Sequence, residues 1–401
     1  MRTSWRIEAK LQLRYQTTIA SLAWIVAVFA SATGAGETGR LLQVGPARAF
    51  KTPSAAAAVA KDGDTIEIEA GEYPGDVAVW SANRLTIRGV NGVAHLVAKG
   101  KSAQQKAIWV IRGNDTTIEH IEFSGCRVPD HNGAGIRQEG AGLVVRHCSF
   151  HDNEDGILTG ANPNSDILIE YSEFHHNGHG DGLSHNLYIG RVRSFTMQFC
   201  WSHHASVGHL VKSRAETNII RFNRLMDEQA GNSSYVIDLP NGGKSFIIGN
   251  LIQHGPHAEN GVAISYAAEG AKNAVQALYV VNNTYVNERP HGSFLRVAGT
   301  PSEVRVVNNL VVGSSTVLSG SGETTNNLIT TTPGFVDAAH YDYRLTSQSP
   351  ALGAGIDPGV VGDFSLSPNY YYQHPLGGVA CTKVRRPSVG AYPVAVDPAP
   401  R

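Results

Sequence analysis

Between residues 117 and 311 the chain repeats one pattern of apolar and polar positions. Successive segments read Thr117-Ile-Glu-His-Ile-Glu-Phe123, Val144-Val-Arg-His-Cys-Ser-Phe150, Leu168-Ile-Glu-Tyr-Ser-Glu-Phe174, Thr196-Met-Gln-Phe-Cys-Trp-Ser202 and Ile219-Ile-Arg-Phe-Asn-Arg-Leu225. They continue as Ile247-Ile-Gly-Asn-Leu-Ile252, Val280-Val-Asn-Asn-Thr-Tyr285 and Val306-Val-Asn-Asn-Leu-Val311, and Leu85-Thr-Ile-Arg-Gly-Val90 fits as an earlier turn. The recurring position holds Ile121, Cys148, Ser172, Cys200, Asn223, Asn250, Asn283 and Asn309, at spacings of 27, 24, 28, 23, 27, 33 and 26. Apolar residues alternate with polar ones, which is the period of a strand. A repeat in the twenties built of short strands is a solenoid. Helical repeats are excluded by the alternation and by the Gly-Asn punctuation, and the leucine pattern of leucine-rich repeats is missing. The prediction is an all-β, right-handed parallel β-helix. Nine to eleven coils stacked at about 4.8 Å make a rod of about 45–50 Å. The asparagines form an inward ladder, each side chain bonding the coils above and below.

A second column runs through Ser184-His-Asn-Leu-Tyr-Ile-Gly190, Gly208-His-Leu-Val-Lys-Ser-Arg214 and Ser234-Tyr-Val-Ile-Asp-Leu-Pro-Asn241. With Leu187, Val211 and Ile237 in register, His185, His209 and Tyr235 coincide, as do Tyr188, Lys212 and Asp238. The register extends to Ile136, Ile157, Ile264 and Leu295, with Arg137, Leu158, Ser265 and Arg296 beside them. If the aliphatic side chains point inward, alternation turns Tyr188, Lys212 and Asp238 outward on adjacent strands. His185 and His209 then point inward or sit at the rim of the strand.

The ends differ from this pattern. Thr52 and Pro53 suit the N-cap and first position of a short helix over Ser54–Lys61, ended by Gly63, and a strand over Asp64–Tyr73 follows. After about residue 330 the segments become short and broken by Pro and Gly, which predicts a strap covering the last coil. At the start, Arg2, Arg6, Lys10 and Arg14 precede an apolar run, Ile19 to Phe29, and then small residues. That is the pattern of a secretory signal, and the run is short for a membrane span of about 20 residues. The expected organisation is a signal over 1–35, the β-helix with its N-terminal helical cap over 36–330 and a C-terminal strap over 331–401. The mature chain is expected to be secreted or periplasmic and monomeric, with no membrane span.

Composition narrows the chemistry. The 401 residues are 42% hydrophobic and 17% charged, with a net charge of −1. No basic excess points to nucleic acid. Cys126, Cys148, Cys200 and Cys381 lack zinc-ribbon spacing and are expected as buried small hydrophobes.

Gly63-Asp-Thr-Ile-Glu-Ile-Glu-Ala-Gly-Glu-Tyr73, the repeated turns and the terminal Asp-Tyr-Arg-Leu, Ser-Pro-Ala-Leu and Gly-Ala-Tyr segments resemble the secreted β-helix proteins of the pectate-lyase-like superfamily over about residues 50–395. That superfamily holds polysaccharide lyases, C5-epimerases and glycoside hydrolases, so the resemblance implies a polysaccharide substrate. A lyase on a uronate polymer needs a base for the C5 proton, a cation against the adjacent carboxylate and an acid for the leaving oxygen. The resemblance implies lysine and arginine for this work, often with calcium.

Lys212, Arg214, Asp238, Tyr188, His185 and His209 are therefore the candidate catalytic residues. Arg137, Asn241 and Arg296 are candidate substrate-binding residues, and no metal ligand is assigned. A salt bridge without function is the plain alternative for Lys212 and Asp238. A second function, glycoside hydrolysis, would use paired carboxylates such as Asp155 and Asp181. A third is glycan binding without catalysis.

Three further features remain. Asp152, His176, His204, Asp227 and His254 form a column of metal-ligand types on five turns, with His151, His175, His179, Asp181 and His203 nearby. Gly178-His-Gly-Asp-Gly182 resembles one polygalacturonase motif, although the Asn-Thr-Asp, Asp-Asp and Arg-Ile-Lys hallmarks are missing and Asn153-Glu-Asp-Gly156 is the nearest substitute. Pro129-Asp-His-Asn132 echoes the Asp-Pro-His-Asp of alginate epimerases. An acidic calcium cluster is not evident.

Overall fold

A computed structural model describes residues 39–381 and 386–393. The expected signal segment lies outside the described residues. Each coil contributes three short parallel strands, which stack into a front sheet and two back sheets. The front sheet has ten strands, ordered as in the chain from Ala78–Trp80 to Ser315–Ser319. About ten turns follow from this count, within the predicted range.

The predicted registers hold. Ile136 pairs with Ile157, Ile157 with Leu187, Val211 with Ile237, Ile237 with Ile264 and Ile264 with Leu295. All seven aliphatic side chains are buried, as strand alternation requires.

The repeat segment differs from the expectation in one respect. It is two strands joined by a corner, as in Leu143–Arg146 and Ser149–His151. The residue before each ladder position bends the chain, with φ of 58° at His120, 52° at His147, 49° at Tyr171, 58° at Phe199 and 54° at Phe222. Five aromatic rings therefore stack outside the corner, at centroid spacings of 5.0 to 5.8 Å. Just inside it, Asn223, Asn250, Asn283 and Asn309 form the ladder. Each Oδ1 accepts the backbone N–H of the preceding member, at 3.0 Å for Asn250, 2.9 Å for Asn283 and 2.9 Å for Asn309. Asn327 continues it by accepting from Asn309 at 2.9 Å. A second ladder, not foreseen, runs through Asn153, Asn177 and Asn186 at the start of the front sheet. It satisfies backbone groups that a tight corner would otherwise bury unpaired.

At the N-terminal end the helix is Pro53–Ala57, with Thr52 accepting the Ala55 N–H. It stops short of the predicted Lys61 because the Asp64 carboxylate takes the Lys61 N–H at 2.8 Å and draws the chain into its first long strand. After residue 330, Tyr343, Leu345, Ala351, Tyr372, Val389 and Ala391 pack with Met226, Leu251, Val286 and Leu310 of a back sheet. Leu366 packs with Phe199 and Phe222 of the corner stack and with Phe246 of a back sheet. Neither cluster includes a front-sheet residue. Cys126, Cys148 and Cys200 are buried and Cys381 half-buried, and all four are free thiols. Among the described residues no helix is long and apolar enough to cross a membrane.

Candidate active site on the front sheet

Tyr188, Lys212 and Asp238 pair as predicted: Tyr188 with Lys212, Lys212 with Asp238, and Asp238 with Ser265. Lys212 Nζ lies 5.1 Å from the Tyr188 ring centroid and 3.8 Å from Asp238 Oδ2. Its side chain is only 11% exposed. Arg214, two residues on, donates from Nε to Tyr188 Oη at 2.9 Å and from Nη1 to Asn241 Oδ1 at 2.8 Å. Asn241 thus belongs to the cluster through Arg214.

One member had no place in the predicted site. Glu269 Oε2 pairs with Arg214 Nη2 at 2.8 Å, and its Oε1 lies 3.9 Å from Lys212 Nζ. It comes from the connection after Val262–Tyr266, two coils further on. That connection folds back and is pinned over the earlier coil by Asn273 Nδ2 to Ala215 O at 2.8 Å and by Ala274 N to Glu216 Oε2 at 3.2 Å. The signal in the sequence was the 33-residue spacing from Asn250 to Asn283, the longest of the repeat.

The histidines sit at the rim, alongside the outward column. Here a third ladder links the coils. Asp155 Oδ1 accepts the His185 N–H at 2.8 Å, His185 Nδ1 accepts the His209 N–H at 3.0 Å, and His209 Nδ1 accepts the Tyr235 N–H at 3.2 Å. An imidazole that accepts at Nδ1 carries its proton on Nε2. His209 Nε2 lies 3.5 Å from Asp238 Oδ2, and the His185 ring meets Tyr188 edge-on at 5.4 Å. Burial pushes His209 down to about 3, helped by the Lys212 cation. His185 falls well below the usual imidazole range for the same first cause, then through His209, Lys212 and Arg214. Burial pushes Asp238 up to about 6 against the pull of Lys212.

The other named residues are spread along the sheet. Arg137 pairs in register with Leu158 and is half-buried, and its Nε makes no hydrogen bond among the described residues. Arg296 pairs with Ser265 and is exposed. Asp155 is 1% exposed and burial pushes it up to about 8, whereas Asp181 is exposed.

The column Asp152, His176, His204, Asp227, His254 divides. Asp152, His176 and His204 are corner residues with φ of 55°, 53° and 51°. Asp227 turns inside to bind Ser233 Oγ at 2.8 Å, and His254 Nε2 faces Ser234 O at 3.1 Å. Corner geometry therefore separates ligand types that the sequence aligns. Among the described residues, two other groups converge: His95, Glu122 and His151, and His131, His179 and Asp181. Each contains two imidazoles, unlike the oxygen-rich sets that calcium takes.

Comparison with known proteins agrees with this fold. Residues 77–225 match the model of the right handed beta helix region. Pectate lyase B of Paenibacillus amylolyticus is 25% identical over 119 residues, 27% of this chain and 29% of that enzyme. The chain thus matches less than a third of that relative's length. The crystal structure of pectate lyase Pel9A superposes with a TM-score of 0.62 at 14% identity, covering 88% of this chain and 96% of that one. A PL6 family alginate lyase covers 72% of this chain and 51% of its own, with a TM-score of 0.40 and 16% identity. The chain therefore has the right-handed parallel β-helix fold, similar to that of pectate lyase Pel9A.

Proposed function

We propose that the protein acts on an acidic, uronate-containing glycan laid across the front sheet, as a polysaccharide lyase or C5-epimerase with Lys212 as its base. The observation that carries this reading is the place of Lys212. It is mid-sheet, nearly buried, over an aromatic ring, and between the carboxylates of Asp238 and Glu269. In this reading the base form of Lys212 is its neutral amine. That amine takes the C5 proton. Tyr188, whose oxygen accepts from Arg214, keeps its own proton for the leaving oxygen. Arg137 and Arg296, along the same sheet, hold flanking sugar carboxylates. His209 holds Asp238 in place from the rim. Calcium is compatible with this chemistry but is assigned no ligand here.

The same reading takes residues 1–35 as an export signal, 36–330 as the β-helix with its N-terminal cap and 331–401 as a C-terminal strap. The product is a secreted or periplasmic monomer. The test is to incubate purified protein with a panel of uronate polymers and to follow absorbance at about 235 nm, where the unsaturated product of elimination absorbs. Epimerisation is read by NMR of the polymer. No change with any uronate polymer in either assay rejects the reading.

A second reading is favoured by Arg214. Its bonds to Glu269, Asn241 and Tyr188 are all internal. A cluster neutralised in this way suits a surface that binds glycan without cleaving it, and polymer binding with no turnover selects it.

A further inference from the structure

The two segments singled out as motif echoes meet in space. Residues 125–133 join Ile121–Ser124 to Ala134–Gln138, and residues 176–186 join Glu173–His175 to Leu187–Ile189. They belong to coils two apart, about 9.6 Å in strand spacing. The connection between them, 152–154, is only three residues long. The two longer loops close over it, with Arg127 Nη1 reaching Gly178 O at 3.5 Å. Gly178 has φ of 120°, and a Cβ there would lie 2.6 Å from Ser206 O, so the loop turns at a position no other residue suits.

This closure stacks the His131 and His179 rings at 3.6 Å. Asp181 Oδ2 lies 3.8 Å from His131 Nδ1, and Glu154 Oε1 lies 3.5 Å from His179 Nδ1. One ligand atom from each of His131, His179 and Asp181 falls within 4.8 Å of the others. Glu154 forms the floor, its Oε2 fixed by Val128 N at 3.0 Å and Gly133 N at 2.7 Å.

The contrast with the other histidine group is instructive. There His151 bonds Glu122 at 2.8 Å and Asp152 at 2.7 Å, and His95 bonds Ser124 at 2.7 Å. Those nitrogens already have partners. The His131 and His179 rings make no hydrogen bond among the described residues, and Asp181 spends only Oδ1, on Leu183 N at 2.9 Å. Ligand atoms that converge without bonding one another suit a shared cation. Two imidazoles with a carboxylate select a first-row transition ion over calcium or magnesium.

We infer that His131, His179 and Asp181, over Glu154, form a binding site for one divalent transition-metal ion of the zinc type. The side chains of His131, His179 and Asp181 are 50%, 36% and 31% exposed, so the ion keeps open positions toward solvent, where water or a glycan carboxylate completes its coordination. The inference does not depend on Lys212 acting as a base, because binding is measured without substrate.

The experiment titrates Co2+ into chelator-treated full-length protein and follows its visible absorption. One equivalent saturates the signal, Zn2+ displaces it and excess Ca2+ does not. His131→Ala and His179→Ala each weaken binding more than about tenfold, a loss at least that of an outer-shell partner. His151→Ala leaves it unchanged. In the unaltered protein, Zn2+ shifts the imidazole resonances of His131 and His179 but not those of His95 and His151. That readout stands if a variant fails to fold. Absence of a saturable Co2+ site overturns the inference. So does a site that survives the double alanine variant, or shifts confined to His95 and His151.

Discussion

The backbone N–H of His209 donates to Nδ1 of His185, one coil earlier, at 3.0 Å. His209 Nδ1 in turn accepts from the Tyr235 N–H at 3.2 Å. Both rings therefore spend their lone pair on the main chain. With Nδ1 so engaged, each ring offers its Nε2–H, a donor suited to orienting a substrate.

This tautomer is measurable. Long-range 15N–1H correlation spectra should show both rings in the Nε2–H form at pH 7. His209 should stay neutral from pH 8 to pH 5, since burial and Lys212 hold it at about 3. Titration of His209 near the ordinary imidazole value of about 6.5 would refute the ladder.

Lys212→Arg should keep most polymer binding and lose more than about tenfold in kcat, because a guanidinium keeps the charge without a deprotonatable amine. Lys212→Ala should lose both. Neither should lower Tm appreciably, since the side chain lies outside the inward core. Turnover of Lys212→Arg at the parent rate would remove the base role and leave the binding reading ahead.

Glu269→Gln should free Arg214 and Lys212 from their nearest loop carboxylate, at 2.8 and 3.9 Å. Affinity for a polyanionic glycan should then rise at low salt. The gain should shrink as ionic strength approaches about 1 M, where the Debye length is about 3 Å. Preference for a neutral polymer, or indifference to salt, would argue against an acidic substrate.

Asp238 yields a pH prediction with a definite sign. Burial raises its folded pKa from 3.8 to about 6, so between these values the folded state binds more protons than the unfolded state. This carboxyl therefore costs stability as pH rises through that window, by about 2–3 kcal/mol in full. Buried His209, with its lowered value, acts in the opposite direction. The comparison must therefore be with Asp238→Asn, whose stability relative to the parent should grow from pH 4 to pH 7 in urea unfolding. A flat difference would mean that Lys212 and His209 fully offset the burial.

Asn250→Ala should destabilise by about 2–5 kcal/mol, because it strands the buried Asn223 N–H and the Ile220 carbonyl at once. Both are bonded at 2.9–3.0 Å in the ladder. The equivalent change at exposed Asn164 should be near neutral in the same denaturation assay.

Sequence periodicity alone determined the coil count, the ladder and the front-sheet registers. Each of these follows from a local rule: strand alternation sets the face, and burial of Ile136, Ile157, Leu187, Val211, Ile237, Ile264 and Leu295 sets the register. It therefore also placed Tyr188, Lys212 and Asp238 side by side. What tertiary structure alone decided lies in the connections. A corner residue such as His204 or Asp227 can turn out or in, depending on φ and on which polar group the next loop offers, and the column pattern carries no record of that choice. Glu269 reaches Lys212 from two coils away, and His131 reaches His179 across a three-residue connection. Loops of unequal length fold back according to which neighbours leave room, so their contacts are set by packing between coils and not by the repeat.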